Sequence, residues 1–187
     1  MQIIAGEWRS RVLLTPPGDA TRPTSGRVRE ALFSHLQSAR LDAGFAGLRI
    51  LDLFAGSGAL ALEALSRGAA HATLVESAKP ALVSIRDNVS KLRCEERVTV
   101  VSGPLPSALA RVPRQDAFDL VFMDPPYASA DGPATLAALA LQCALATKTL
   151  IVYEHDRRNP PLVPQTLLFV GERTWGDTQV SFLRPRV

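Results

Sequence analysis

The chain is poor in the residues that staple, chelate or anchor. Cysteine occurs at Cys94 and Cys143 alone, far apart and outside any Cys-x-x-Cys pair. That argues against a disulfide framework or a thiolate metal site, and predicts two reduced, buried thiols in a cytoplasmic protein. His35, His71 and His155 are isolated and share no ligand spacing, so no metal is expected. There is no uncharged apolar run of about 18 residues, so no membrane span is expected. The start, Met1 to Arg9, lacks a basic segment followed by a long apolar core, which argues against a signal peptide. Lysine is scarce too, at positions 79, 91 and 148 against 18 arginines. Arginine suits bidentate phosphate contacts, although a GC-rich genome gives the same bias.

What remains is an ordinary globular composition, 47% hydrophobic and 21% charged. A chain of 187 residues fits one domain, or one domain with a short appendage. The net charge of +3 is unevenly placed. Residues 1–49 hold seven arginines against Glu7, Asp19, Glu30 and Asp42, whereas residues 50–187 hold 14 basic and 14 acidic residues. The whole excess lies in the first quarter of the chain.

Residues 2–5 and 8–14 read as two short strands around a turn at Gly6-Glu7, and 15–19 as a loop. Ser25 is a plausible cap for a helix over 26–41, with Val28, Ala31, Leu32, Leu36 and Ala39 as its apolar stripe. From Leu48 onward strands and helices alternate. Strands are expected at 48–53, 72–76, 98–102, 118–123 and 149–153, and helices at 57–67, 79–93, 105–111 and 132–146. Such alternation implies an α/β fold with a mostly parallel sheet. The segments 166–172 and 178–184, joined by Thr174-Trp175-Gly176-Asp177, read as a C-terminal antiparallel hairpin.

Two motifs carry chemistry. Leu51-Asp52-Leu53-Phe54-Ala55-Gly56-Ser57-Gly58 follows the first parallel strand and opens a helix. Gly56 and Gly58 allow a tight turn and a close approach of the main chain to a ligand. Glu76 ends the next strand, where a carboxylate can accept hydrogen bonds from ribose hydroxyls. Asp52 disfavours a dinucleotide pyrophosphate and favours a cationic cofactor, S-adenosylmethionine. The second motif is Asp124-Pro125-Pro126-Tyr127, at the end of a buried strand. Asp124 and the Pro125 carbonyl can accept the two hydrogens of an exocyclic amine and aim its lone pair. Tyr127 can stack on the base. A base reached this way must lie outside its stack.

At this point the sequence resembles the RsmD family of bacterial 16S rRNA (guanine-N2)-methyltransferases. The resemblance is carried by Ile3-Ile4-Ala5-Gly6, by Thr21-Arg22-Pro23-Thr24 with Arg27-Val28-Arg29-Glu30-Ala31-Leu32-Phe33, by Leu51–Leu65, by Asp124–Tyr127 and by Gly176-Asp177-Thr178. It implies a Rossmann-like seven-stranded S-adenosylmethionine-dependent methyltransferase fold over 46–187, preceded by a β-hairpin and helix over 1–45 that dock RNA. It implies cofactor contacts from Asp52, Phe54, Ala55, Gly56, Ser57, Gly58 and Glu76, and a catalytic loop of Asp124, Pro125, Pro126 and Tyr127. Arg22, Arg27 and Arg29 would face the RNA or the cofactor carboxylate. The partner implied is 16S rRNA in the small subunit or its assembly intermediate, met in the cytoplasm by a monomer.

Two departures stand out. Gly26 replaces an acid frequent in the family. Ser102-Gly103-Pro104-Leu105 lacks the acid that many methyltransferases place near the adenine amine, so main chain at Gly103, Pro104 and Leu105 is the expected substitute. The competing readings are a DNA adenine-N6 methyltransferase, a protein glutamine methyltransferase and a non-catalytic RNA-binding assembly factor.

Overall fold

The computed structural model describes residues 1–17, 26–39, 41, 43–114, 117–126, 129–142, 145–158, 160–176 and 178–186. Its elements in chain order are α1 (Gly26–Ala39), β1 (Arg49–Leu53), α2 (Ala59–Ser66), β2 (His71–Glu76), α3 (Lys79–Leu92), β3 (Val98–Ser102), β4 (Phe118–Met123), α4 (Asp131–Gln142), β5 (Leu145–Asp156), β6 (Leu167–Trp175) and β7 (Thr178–Pro185). Single turns of 3₁₀ helix span Glu95–Arg97 and Ser107–Arg111. The seven strands form one sheet in the order β3-β2-β1-β4-β5-β7-β6. β1 to β5 pair in parallel, and β7 joins β5 and β6 antiparallel. The expected architecture is therefore present, with its C-terminal hairpin. Among the described residues no helix is long and apolar enough to cross a membrane.

Strand alternation divides the core between the two faces. Ile50, Leu120, Phe122 and Val152 point to one face, under α1, α2 and α3. Leu51, Leu53, Val121, Met123 and Ile151 point to the other, under α4. The order reverses at β1, which has β2 on one side and β4 on the other. In open α/β sheets this switch point leaves a crevice at the carboxyl ends of the strands. The register Leu53 with Met123 and Leu53 with Val75 brings the loops after β1, β2 and β4 together there.

The N-terminal segment departs from two full strands. One antiparallel bridge, Gln2 with Val12, forms, flanked by hydrogen bonds from Ile3 N to Arg11 O (2.9 Å) and Leu13 N to Met1 O (2.8 Å). Four further backbone donors go to α2. Ile4 N and Ala5 N donate to the Glu63 carboxylate at 2.7 and 3.1 Å, Trp8 N to Ser66 Oγ at 2.9 Å and Glu7 N to Ser66 O at 2.7 Å. Gly6 makes this approach feasible: it sits at φ 86°, and a Cβ there would lie 1.8 Å from Ser66 O. Ile3, Trp8 and Leu13 join Leu32, Phe33, Leu62 and Leu65 in a single core cluster.

The buried face of α1 is Arg29, Leu32, Phe33 and Leu36, rotated from the expected stripe so that Ala39 is exposed. Phe33 drives the rotation. It packs on Phe45 and Phe122 at centroid distances of 5.2 and 5.7 Å, with the Arg67 guanidinium 4.9 Å from its ring. Arg67 Nε in turn donates to Glu63 Oε1 at 2.8 Å. Glu63 is fully buried and holds two main-chain amides and one guanidinium. Breaking a buried, hydrogen-bonded ion pair from one side costs about 3–5 kcal/mol. Glu63→Ala is expected to lower the unfolding free energy by about that amount in urea denaturation; a loss near zero would show that the arm is not anchored there.

Candidate functional site

The loop after β1 is shaped by backbone conformation. Phe54, Gly56 and Gly58 take φ of 63°, 56° and 78°. A positive φ at Phe54 is uncommon for a residue with a side chain, and such strain clusters at ligand-binding turns. A Cβ on Gly58 would meet Leu74 Cδ2 at 2.9 Å, so the glycine lets α2 start against β2. A Cβ on Gly56 would meet nothing within 4 Å, so the main chain there is open to a ligand. The helix begins at Ala59 rather than 57, with Gly58 as its cap. The loop is tied at 2.7 Å from Gly58 N to Ala55 O, 3.1 Å from Ala55 N to Val75 O and 3.0 Å from Asn88 Nδ2 to Ser57 O.

Asp52 is buried at the end of β1, and its Oδ2 accepts the Ala61 amide at 3.1 Å. Burial pushes its carboxyl up to about 7; the Ala61 hydrogen bond opposes the rise and the charge of Glu76 adds to it. A cation arriving at this crevice would relieve that penalty. Glu76 ends β2. Its Oε2 accepts Gly56 N at 2.8 Å, and its Oε1 accepts Ser77 N at 2.7 Å and Ala78 N at 2.8 Å. A carboxylate has about four acceptor sites. Glu76 thus clamps the glycine loop to β2 and keeps one acceptor direction for a hydroxyl. Main chain continues this rim, since Gly103 N donates to Glu76 O at 2.8 Å. Arg111 reaches over Gly103: its Nη2 donates to Ser102 O at 2.6 Å, and a Cβ on Gly103 would lie 2.0 Å from that nitrogen. Pro104 is exposed, whereas Leu105 is buried in the core, so its side chain is not at the rim.

Asp124 is half-buried at the end of β4, followed by buried Pro125 and exposed Pro126. Pro125 is held from behind. A Cβ on Gly132, in the first turn of α4, would lie 2.8 Å from Pro125 Cγ and 2.6 Å from Tyr153 Oη. Tyr153 is buried on β5, paired with Met123. The loop is thus wedged between the start of α4 and the adjacent strand. The α4 terminus is itself capped, with Asp131 N donating to Ser129 Oγ at 3.0 Å. Tyr127 and Arg22 lie outside the described residues, as does Cys143. Arg27 is exposed. Arg29, expected to face the RNA or the cofactor carboxylate, is 2% exposed, and its Nη2 donates to the Gln2 carbonyl. Among the described residues no cluster of His, Cys, Asp or Glu could hold a metal ion.

Sequence reasoning missed Asn88. It is fully buried in α3; its Oδ1 accepts Leu14 N at 2.7 Å, and its Nδ2 donates to Leu14 O at 2.9 Å as well as to Ser57. One side chain therefore joins the N-terminal arm to the glycine loop. The signal was available: a polar residue one helical turn from Ile85, on an apolar stripe. Gly132 and Tyr153 carried no comparable signal.

The raised Asp52 carboxyl makes stability depend on pH. Between about 4, where a free aspartate titrates, and about 7 the folded protein keeps a proton that the unfolded chain has released. Stability therefore falls as pH rises through that window. The difference in unfolding free energy between wild type and Asp52→Asn is expected to move by about 1.4 kcal/mol per pH unit there, wild type losing ground. Denaturation at pH 4.5, 5.5 and 6.5 checks it; parallel curves would place the carboxyl near its ordinary value.

The family model described as Conserved hypothetical protein 95 matches residues 1–184. Over 178 residues the chain is 39% identical to Ribosomal RNA small subunit methyltransferase D of Escherichia coli strain K12, covering 95% of this chain and 86% of that protein. It is 33% identical over 177 residues to the protein of the same name from Haemophilus influenzae, covering 94% and 89%. Among solved structures it matches the candidate methyltransferase yhhF of Escherichia coli with a TM-score of 0.80 at 33% identity, over 99% of this chain and 97% of that one. With this fold, this glycine loop and these relatives, the chain belongs to the RsmD family of ribosomal RNA small subunit methyltransferases.

Proposed function

We propose that the chain transfers a methyl group from S-adenosylmethionine to the exocyclic N2 of a guanine in 16S rRNA, in the small subunit or its assembly intermediate. The observation that carries this reading is the adjacency of two loops. The Asp124-Pro125 loop leaves β4 beside the glycine loop of β1, at the switch point of the sheet, where Leu53 pairs with Met123. The residues present suit the cofactor: an open main chain at Gly56, a buried carboxylate at Asp52 and a strand-end carboxylate at Glu76.

When bound, S-adenosylmethionine supplies an electrophilic methyl carbon on a sulfonium centre. Asp52, Phe54, Ala55, Gly56, Ser57 and Gly58 would hold its methionine part, Glu76 its ribose, and the main chain at Gly103 and Pro104 its adenine. Asp124 and the Pro125 carbonyl accept the two hydrogens of the guanine amine. That nitrogen is a poor nucleophile because its lone pair is delocalised into the ring. Two acceptors favour its pyramidal form and aim the lone pair, so positioning supplies much of the acceleration. Pro126 stiffens the loop. Tyr127 stacks on the displaced base, worth about 1–3 kcal/mol. Arg22 and Arg27 draw the RNA to the arm. The protein works as a cytoplasmic monomer.

Small subunits from a strain lacking the modification are the test substrate, followed by nucleoside analysis. N2-methylguanosine is expected. N6-methyladenosine would assign the loop to adenine, and label on DNA or protein alone would remove RNA as substrate. Asp124→Ala should slow transfer by roughly a hundredfold or more, equivalent to about 2.7 kcal/mol of barrier. Gly132→Ala presses on Pro125 and is expected to lower kcat about tenfold, with cofactor affinity within about twofold. An unchanged kcat would mean that the wedge behind Pro125 does not set the loop.

A further inference from the structure

A cavity of about 600 Å³ lies between the N-terminal arm and the start of α1. Arg9, Ser10, Thr15, Gly26, Arg29 and Glu30 line it. Arg29 is its buried charged member, 2% exposed, and among the described residues Nη2 is its one nitrogen with a partner, the Gln2 carbonyl. Nε and Nη1 are buried without a hydrogen-bond partner among the described residues. Unpaired N–H groups on a buried cation are costly, because neither water nor protein replaces the lost solvation. Among the described residues Glu63 is the carboxylate that acts on Arg29, and it is already engaged by Arg67, Ile4 N and Ala5 N. Two guanidinium groups therefore share one buried carboxylate. Arg9 adds positive charge to the wall and Glu30 negative charge, and Gly26 brings the positive end of the α1 dipole to it.

We propose that this cavity is an oxyanion site that takes a backbone phosphate of the substrate RNA, with Arg29 as its floor. This rests on the RNA-methyltransferase reading. A guanidinium whose Nε and Nη1 lack partners among the described residues suits a charge-assisted contact with a phosphate oxygen. Pockets of about 300–1,000 Å³ hold whole small ligands. A phosphate with its attached sugars suits this volume better than an isolated ion. Thr15 on the wall follows Leu14, which Asn88 ties to Ser57 of the glycine loop. The wall of the cavity is therefore linked through Leu14 and Asn88 to the glycine loop.

Inorganic phosphate is the first probe, on the full chain. It should raise the melting temperature of the wild type more than sodium chloride of equal ionic strength. Arg29→Met should abolish that response, and Arg9→Gln should weaken it about threefold. A single-stranded RNA 12-mer should displace phosphate, and Arg29→Met should reduce the salt slope of RNA binding by about 0.7. If Arg29→Met does not fold, wild type and Arg9→Gln decide. A phosphate response no larger than that of chloride overturns the site. Displacement of phosphate by S-adenosylmethionine and not by RNA overturns the RNA assignment, giving the site to the cofactor carboxylate. Phosphate and RNA binding with no methyl transfer would support the site while overturning the enzymatic reading.

Discussion

The carboxylate of Glu63 is the constraint on which the N-terminal architecture depends. A charge buried in the middle of an apolar helix is tolerated only if its acceptor sites are filled. Here Ile4 N, Ala5 N and Arg67 occupy three of them. Satisfying the charge folds the arm onto α2, and Arg67 in turn lies over Phe33 of α1. Segments that would otherwise have too little apolar surface to order alone become part of the main core. A short β-ladder is given up in exchange, since the amides that would extend it are committed to α2.

A second tether reaches the chemistry. Asn88 binds both main-chain groups of Leu14 and the carbonyl of Ser57. The glycine loop is thus braced from three sides, by Asn88 in α3, by Glu76 in β2 and by Asp52 through Ala61 of α2. Each brace is a polar side chain acting on main chain. Behind the Asp124 loop, Pro125, Gly132 and Tyr153 are closely packed, and Ser129 N donates to Pro126 O at 2.9 Å.

Much of this was legible in the sequence because its signals are local. The alternation that predicts the parallel strands reflects burial on both faces, and the glycine loop needs φ values that glycine adopts readily. β4 falls at 118–123 as expected. β5 runs over Leu145–Asp156, well beyond 149–153, because antiparallel pairing with β7 carries it through Glu154-His155-Asp156, which lack a strand's apolar pattern. The face of α1 was misjudged because Arg29 is buried, and hydrophobic periodicity assigns a charged residue to solvent. Glu63 and Asn88 escape sequence reasoning for a common reason: each acts on a segment remote in sequence.

The attachment of the arm separates anchoring from recognition. Glu63 reads the amides of Ile4 and Ala5, Ser66 reads the amides of Glu7 and Trp8, and Asn88 reads both main-chain groups of Leu14. Every residue except proline carries an amide. The outward-facing side chains of the arm, Arg9 and Arg11 among them, can therefore be exchanged without loosening its grip on the catalytic body. A fold built this way can change its outer surface through substitutions in a few exposed positions while the geometry beneath it stays fixed.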